Sequence, residues 1–368
     1  MHLVLRGPVL TGFVLISAAC GQPAAKPVAS PTPTTTPAFT TGLPPLGTLP
    51  DAAQPLRAAL GGSGLIILAH GTTDSRLSLY DFNPITKTTR QTQLLVESAG
   101  AWSGLGVDDA GITWVGIRDR LIRVDASGMI DSFVLPPVRF PLAQEFRLAE
   151  PSGPPPGSSG FVAALAVTGD RVTLGRTDAS ELLVFDRGTR GFQQWPLPSG
   201  TGDIAELFPG PRNTVVFAVD RSGRVRGLLN DRVGIIDPAT GNARTLDLPT
   251  RGVAVRSSMI ALGGSALSVV DENWKPLRPP SIADQYDVRR IALRADDSVA
   301  IRVNASHELA IVDLRGREVT RIEYAVPIVP LSTGAPQPYN SPLAYLVAAP
   351  DNSVWFSLIG RPEIYQAR

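Results

Sequence analysis

The chain has 368 residues, 34 of them basic and 33 acidic, for a formal net charge of +1. That balance lacks the basic footprint of a nucleic-acid partner. The lone cysteine, Cys20, rules out an internal disulfide, so stability must come from a packed core. Thirty-five glycines and 34 prolines, with no long stretch of 3.6-residue apolar period, point to an all-β fold with many turns.

From the N-terminus, Arg6 and the apolar run Val9 to Ile16 read as an export signal, too short to span a bilayer. The run leads into Ser17-Ala18-Ala19-Cys20, which resembles the lipobox of bacterial lipoproteins, with Ser17 where Leu is usual. The resemblance implies that Cys20 takes lipid, palmitate included, and becomes the mature N-terminus. An ordinary cleaved signal with an incidental cysteine is the alternative. Residues 21–42 follow as an expected tether, with proline at 23, 27, 31, 33 and 37 and six threonines among them. Such a segment buries no apolar surface, and at ~3 Å per residue it reaches several tens of ångströms. The expected organisation is therefore a signal over 1–20, a tether over 21–42 and a folded domain over 43–368. The expected location is the extracytoplasmic face of the cell membrane.

Six apolar runs then end at an aspartate followed by turn residues: Asp81, Asp125, Asp186, Asp237, Asp271 and Asp313. Spacings of 34 to 61 residues mark one recurring unit with loops of varying length. Residues 101–136 resolve it into four strands, with turns at Asp108 to Gly111 and Asp125 to Gly128 supplying the residues hairpins need. Four-stranded antiparallel units around an axis make a β-propeller. Strands are lettered a (innermost) to d (outermost). The count gives seven blades, and six with a divergent extra unit is the alternative. The last unit runs out of chain after strand c. Leu49-Pro50 matches the strand-d endings Leu135-Pro136, Leu197-Pro198 and Leu248-Pro249, so Leu43 to Leu49 is expected to close the last blade.

In this frame the a–b and c–d turns lie on one face and are short. Longer insertions fall on the opposite face, at 137–160, 220–231, 279–286 and 328–342. Binding residues favour variable loops on a rigid scaffold, which makes Arg221, Arg224, Arg226, His307 and Tyr339 the binding-face candidates. Neutral drift explains each loop equally well. The six aspartates are one per blade, too far apart to share an ion, and read as turn caps rather than metal ligands.

The segments Gly111 to Ile117, Leu121 to Asp125 and Asn352 to Leu358 resemble the repeats of streptogramin B lyase-like and NHL-type propellers, in which a Trp-bearing strand b follows an Asp/Asn turn. The lyases of that group use histidine and glutamate around Mg²⁺ to open an ester-linked ring by elimination. Here only His70 and His307 follow the signal. His307-Glu308 is the weak candidate for base and ligand; a solvated turn histidine is the plainer reading. Trp114, Trp195 and Trp355 fit core packing. The expectation is a monomeric, membrane-tethered module binding an envelope protein, peptide or glycan, without metal, cofactor or catalysis. A Mg-dependent carbon–oxygen lyase and a purely structural envelope component are the alternatives.

Overall fold

The computed structural model describes residues 38–62, 64–71, 76–97, 103–128, 130–142, 161–177, 179–198, 203–220, 230–250, 252–264, 266–277, 281–282, 286–303, 307–313, 317–324 and 343–368. Seven sheets fill this stretch, five of them consecutive antiparallel runs of four strands and two completed by a strand from the N-terminal end, and they form a seven-bladed β-propeller. Seven, not six, is the blade number.

The chain enters on two edge strands, β1 (Ala38–Leu43) and β2 (Gly47–Thr48). Blade I follows as β3 (Gln54–Leu60), β4 (Leu65–His70), β5 (Arg76–Asn83) and β6 (Thr88–Glu97). Blade II is β7 (Ser103–Val107), β8 (Thr113–Ile117), β9 (Arg120–Val124) and β10 (Ile130–Val134). Blade III is β11 (Val162–Thr168), β12 (Arg171–Arg176), β13 (Glu181–Asp186) and β14 (Gly191–Pro196). Blade IV is β15 (Asp203–Pro209), β16 (Val215–Asp220), β17 (Asn230–Ile236) and β18 (Ala243–Thr250). Blade V is β19 (Gly252–Arg256), β20 (Met259–Gly263), β21 (Ala266–Asp271) and a two-residue β22 (Ser281–Ile282). Blade VI is β23 (Tyr286–Leu293), β24 (Val299–Val303), β25 (Glu308–Val312) and β26 (Glu318–Tyr324). Blade VII is β27 (Leu343–Ala348), β28 (Val354–Leu358) and β29 (Glu363–Ala367), with β2 outermost.

The expected closure is present over a shorter stretch than Leu43 to Leu49: β2 alone joins blade VII, while Leu43 ends β1 and pairs with Tyr324 of blade VI. Gly47 and Thr48 pair antiparallel with Ile364 and Glu363, and the N–H groups of Leu46 and Leu49 donate to the Ile364 and Pro362 carbonyls at 2.8 and 2.9 Å. Leu49 is 2 % exposed and packs with Ala53, Phe82, Tyr345 and Trp355 between blades VII and I. Three of the four Leu-Pro endings share a reason, whereas Leu248-Pro249 lies inside β18, which runs on to Thr250. The N–H of Leu135, of Leu197 and of Leu49 each donates at 2.9 Å to the carbonyl just before strand c of its blade (Asp119, Ser180 and Pro362), while the leucine side chain is buried. The following proline has no N–H to extend the ladder.

One boundary differs from the expectation. Residues 38–42, read as tether, belong to β1, which pairs parallel with β26 and gives blade VI a fifth strand. Between Pro37 and Pro44 the sequence Ala-Phe-Thr-Thr-Gly-Leu holds no proline, so its donors are free for a ladder.

Seven apolar clusters form the core, one between each pair of neighbouring blades. Small residues on the inner strands follow from crowding: a Cβ at Gly104 would lie 2.4 Å from Leu165 Cβ of the next blade. Trp114 and Trp355 are buried in these clusters, and Trp195 packs at the III–IV boundary with its Nε1 donating to the Pro238 carbonyl at 3.0 Å.

Candidate functional site

The inner strands surround an axial cavity of about 570 Å³. Its wall is mostly alanine, valine, leucine and glycine, and runs from a layer at Arg57, Glu206 and Arg290 to the short-turn face at Pro209, Arg256 and Pro350. Those three charged residues set the character of the opposite end.

Backbone irregularity places them. The a–b ladder slips between Pro55 and Arg57 in blade I, between Ile204 and Glu206 in blade IV, and between Asp287 and Ile291 in blade VI. A bulge inserts residues opposite one partner and re-aims the side chains beside it. Strict alternation would send neighbouring side chains onto the two blade faces; after the bulge, Arg57, Glu206 and Arg290 meet at the axis. Arg290 Nη1 donates to Glu206 Oε1 at 2.5 Å. The pair joins blade VI to blade IV, so it crosses the channel past blade V.

Arg57 is half-buried, its Nε donating to the Ser103 carbonyl of blade II at 3.2 Å. It makes no ion pair within 4 Å among the described residues. Burial, then the neighbouring positive charge of Arg290, push its pKa down to about 10, with Glu206 opposing. The group therefore stays charged at neutral pH. Two guanidinium groups and one carboxylate leave the layer with an excess positive charge, facing an apolar chamber.

Of the candidate site residues singled out in the sequence, His307 and Glu308 are described, and they lie elsewhere. His307 immediately precedes β25, and its carbonyl accepts from the Tyr324 N–H at 2.9 Å. That is the position of Asp119, Ser180 and Pro362 in other blades, so His307 fills a recurring structural station. Its ring meets Tyr324 edge-on at 6.1 Å, and burial, reinforced by Arg302, lowers its pKa against the pull of Glu323. Glu308 pairs with Arg321 of β26 at 3.5 Å. Glu308 opens strand c and His307 stands just before it, both away from the inner strands that line the cavity. Cys20, Arg221, Arg224, Arg226 and Tyr339, with most of the long insertions, lie outside the described residues. Among the described residues no three His, Cys, Asp or Glu side chains come together as a metal would need.

Sequence reasoning missed the axial layer. Arg57 was visible only as the start of an inner strand, and one signal was available: single charged residues inside otherwise apolar, alanine-rich strands at Arg57 and Glu206.

No protein-family model matches the sequence, and no curated protein does. Among solved structures, a streptogramin B lyase aligns with a TM-score of 0.60 at 13 % identity, over 86 % of this chain and 94 % of the lyase. Virginiamycin B lyase from Staphylococcus aureus, solved with quinupristin, aligns with a TM-score of 0.58 at 13 % identity, over 87 % of this chain and 96 % of its own. A WD40 β-propeller domain gives 0.58 at 11 % identity, over 89 % and 98 %. At these identities the likeness is one of fold.

Proposed function

We propose that this chain is a lipid-anchored propeller of the cell envelope that binds a partner or ligand without transforming it. Cys20, behind its small residues, supplies the anchor, and the Pro/Thr-rich stretch after it spaces the propeller from the membrane. The observation that carries the binding reading is the state of the one histidine–acid pair. The His307 backbone bonds the Tyr324 N–H, Glu308 is paired with Arg321, and both stand at the start of strand c rather than at the axis. The lyase-like neighbours keep a second reading in play, an Mg-dependent carbon–oxygen lyase. WD40 relatives in fold fit an interaction module equally well.

Two measurements test this. Cells fed labelled palmitate should label the wild-type chain and not Cys20→Ser, which should also leave the membrane fraction. Purified protein with Mg²⁺ should leave a streptogramin B ring intact. Ring opening that disappears in His307→Ala would overturn the binding reading, and unlabelled, membrane-free wild type would overturn the anchor.

A further inference from the structure

We propose that the axial cavity is a site for a small amphiphilic anion, its oxyanion head held between Arg57 and Arg290 and its apolar body lying against the inner strands. The inference deepens the binding reading above and rests on it.

Three observations converge. The cavity, about 570 Å³, falls within the roughly 300–1,000 Å³ range of small-molecule sites. Its wall is apolar along its length: Ala58, Leu60, Ala166, Val255 and Leu293 are among its residues. Apart from Arg256, paired with Asp297 at the short-turn mouth, and Tyr345, the polar side chains of the wall named above fall in one layer, where positive charge exceeds negative. A guanidinium offers five N–H donors in a planar fork that matches carboxylate and phosphate oxygens. Arg57 spends its Nε on Ser103, and Arg290 spends Nη1 on Glu206.

Glu206 is the resident anion. It bridges the channel to Arg290 and would compete with an incoming head group for the same donors. This gives the site a signature that a merely structural cluster lacks. Removing the Glu206 charge should strengthen binding, while removing either arginine should weaken it. A cation in the same chamber would face the opposite order.

The test uses the purified full-length chain and four probes of equal tail: octanoate, octyl phosphate, octanol and octylamine, read by titration calorimetry. Octanoate, octyl phosphate or both should bind, and comparison of the two identifies a carboxylate or phosphate source. Octanol and octylamine should bind at least about tenfold more weakly, the worth of a charge-assisted hydrogen bond. Arg57→Met and Arg290→Met should each lose about tenfold or more, and Glu206→Gln should gain affinity. Arg57→Lys, which keeps charge and loses the fork, should fall between wild type and Arg57→Met, and serves if the methionine variant fails to fold. Octanol binding as tightly as octanoate, or Glu206→Gln weakening the anion, would overturn the proposal. So would failure of both anions to bind wild type. None of these outcomes touches the palmitate labelling or the ring-opening assay, so the two readings fail separately.

Discussion

Arg176 and Glu181 form an ion pair in which neither side chain is exposed at all. The pair bridges the b–c hairpin of blade III and reaches outward. Arg176 Nη1 donates to the Pro136 carbonyl at 2.5 Å, and Glu181 Oε2 accepts from the N–H groups of Arg139 and Phe140 at 3.2 and 3.0 Å. Gln194 adds a bond to the Pro137 carbonyl at 2.7 Å. These contacts fasten the start of the blade II–III insertion to its neighbour, so a buried charge here sets the path of a loop. Burial lowers the Arg176 pKa, and Glu181 opposes that shift. Removing one partner should be costly because the other stays buried and charged. Glu181→Gln should cost about 3–5 kcal/mol, read from the urea midpoint at unchanged slope. The double replacement Arg176→Met, Glu181→Leu should cost less than Glu181→Gln alone. A loss under about 1 kcal/mol for Glu181→Gln would mark the pair as weak, as surface pairs are.

At the scale of the element, the repeated aspartate is a hairpin part. Asp125 Oδ1 accepts from the Ser127 N–H at 2.9 Å, Asp186 Oδ1 from the Thr189 N–H at 2.8 Å, and Asp237 Oδ1 from the Ala239 N–H at 2.8 Å. Asp271 Oδ1 takes those of Asn273 and Lys275 at 2.8 and 2.9 Å, and Asp313 Oδ1 that of Arg317 at 2.9 Å. Blade I departs from the pattern: Asn83 caps the turn, accepting from Ile85 and Thr86 at 2.9 and 3.1 Å, while Asp81 lies within β5 and faces Arg90. Thus Asp271→Ala and Asn83→Ala should each cost about 1 kcal/mol in a denaturant titration, and Asp81→Ala less than Asn83→Ala. The Thr189 N–H holds the Asp186 pKa below the usual carboxylate value. A depressed folded pKa stabilises above the unfolded value, about 3.9, and that contribution is lost as pH falls through the folded pKa. Asp186→Asn should accordingly flatten the acid limb of a stability–pH curve and leave the neutral region parallel to wild type.

These hairpins were legible because apolar period, aspartate and glycine are local. The axial layer was not. Whether Arg57 faces a neighbouring blade or the channel depends on bulges in its own ladder, and those depend on packing between blades. Strand β1 escaped for a different reason: threonine between prolines reads as tether until an unpaired edge on β26 is known to be there.

For the molecule as a whole, the ring is the relevant unit. In an open stack of repeats the terminal units bury one face and can fray separately. Here the VII–I cluster gives every blade two buried faces, and its last wall is a segment near the start of the folded chain. Truncation should therefore be strongly unequal along the N-terminal strap. Removing residues 1–43 deletes β1, yet blade VI keeps its own four antiparallel strands. Removing residues 1–49 also deletes β2, leaving blade VII with three strands and stripping Leu46 and Leu49 from the core. A single Leu49→Ala should already cost about 2–5 kcal/mol, the usual range for a buried leucine. The longer truncation should lower the thermal midpoint far more than the shorter one. Hydrogen exchange should then show blades I and VII losing protection together, because each covers the other. Equal midpoints for the two truncations would mean that the ring holds without its strap and that blade VII is stable on three strands.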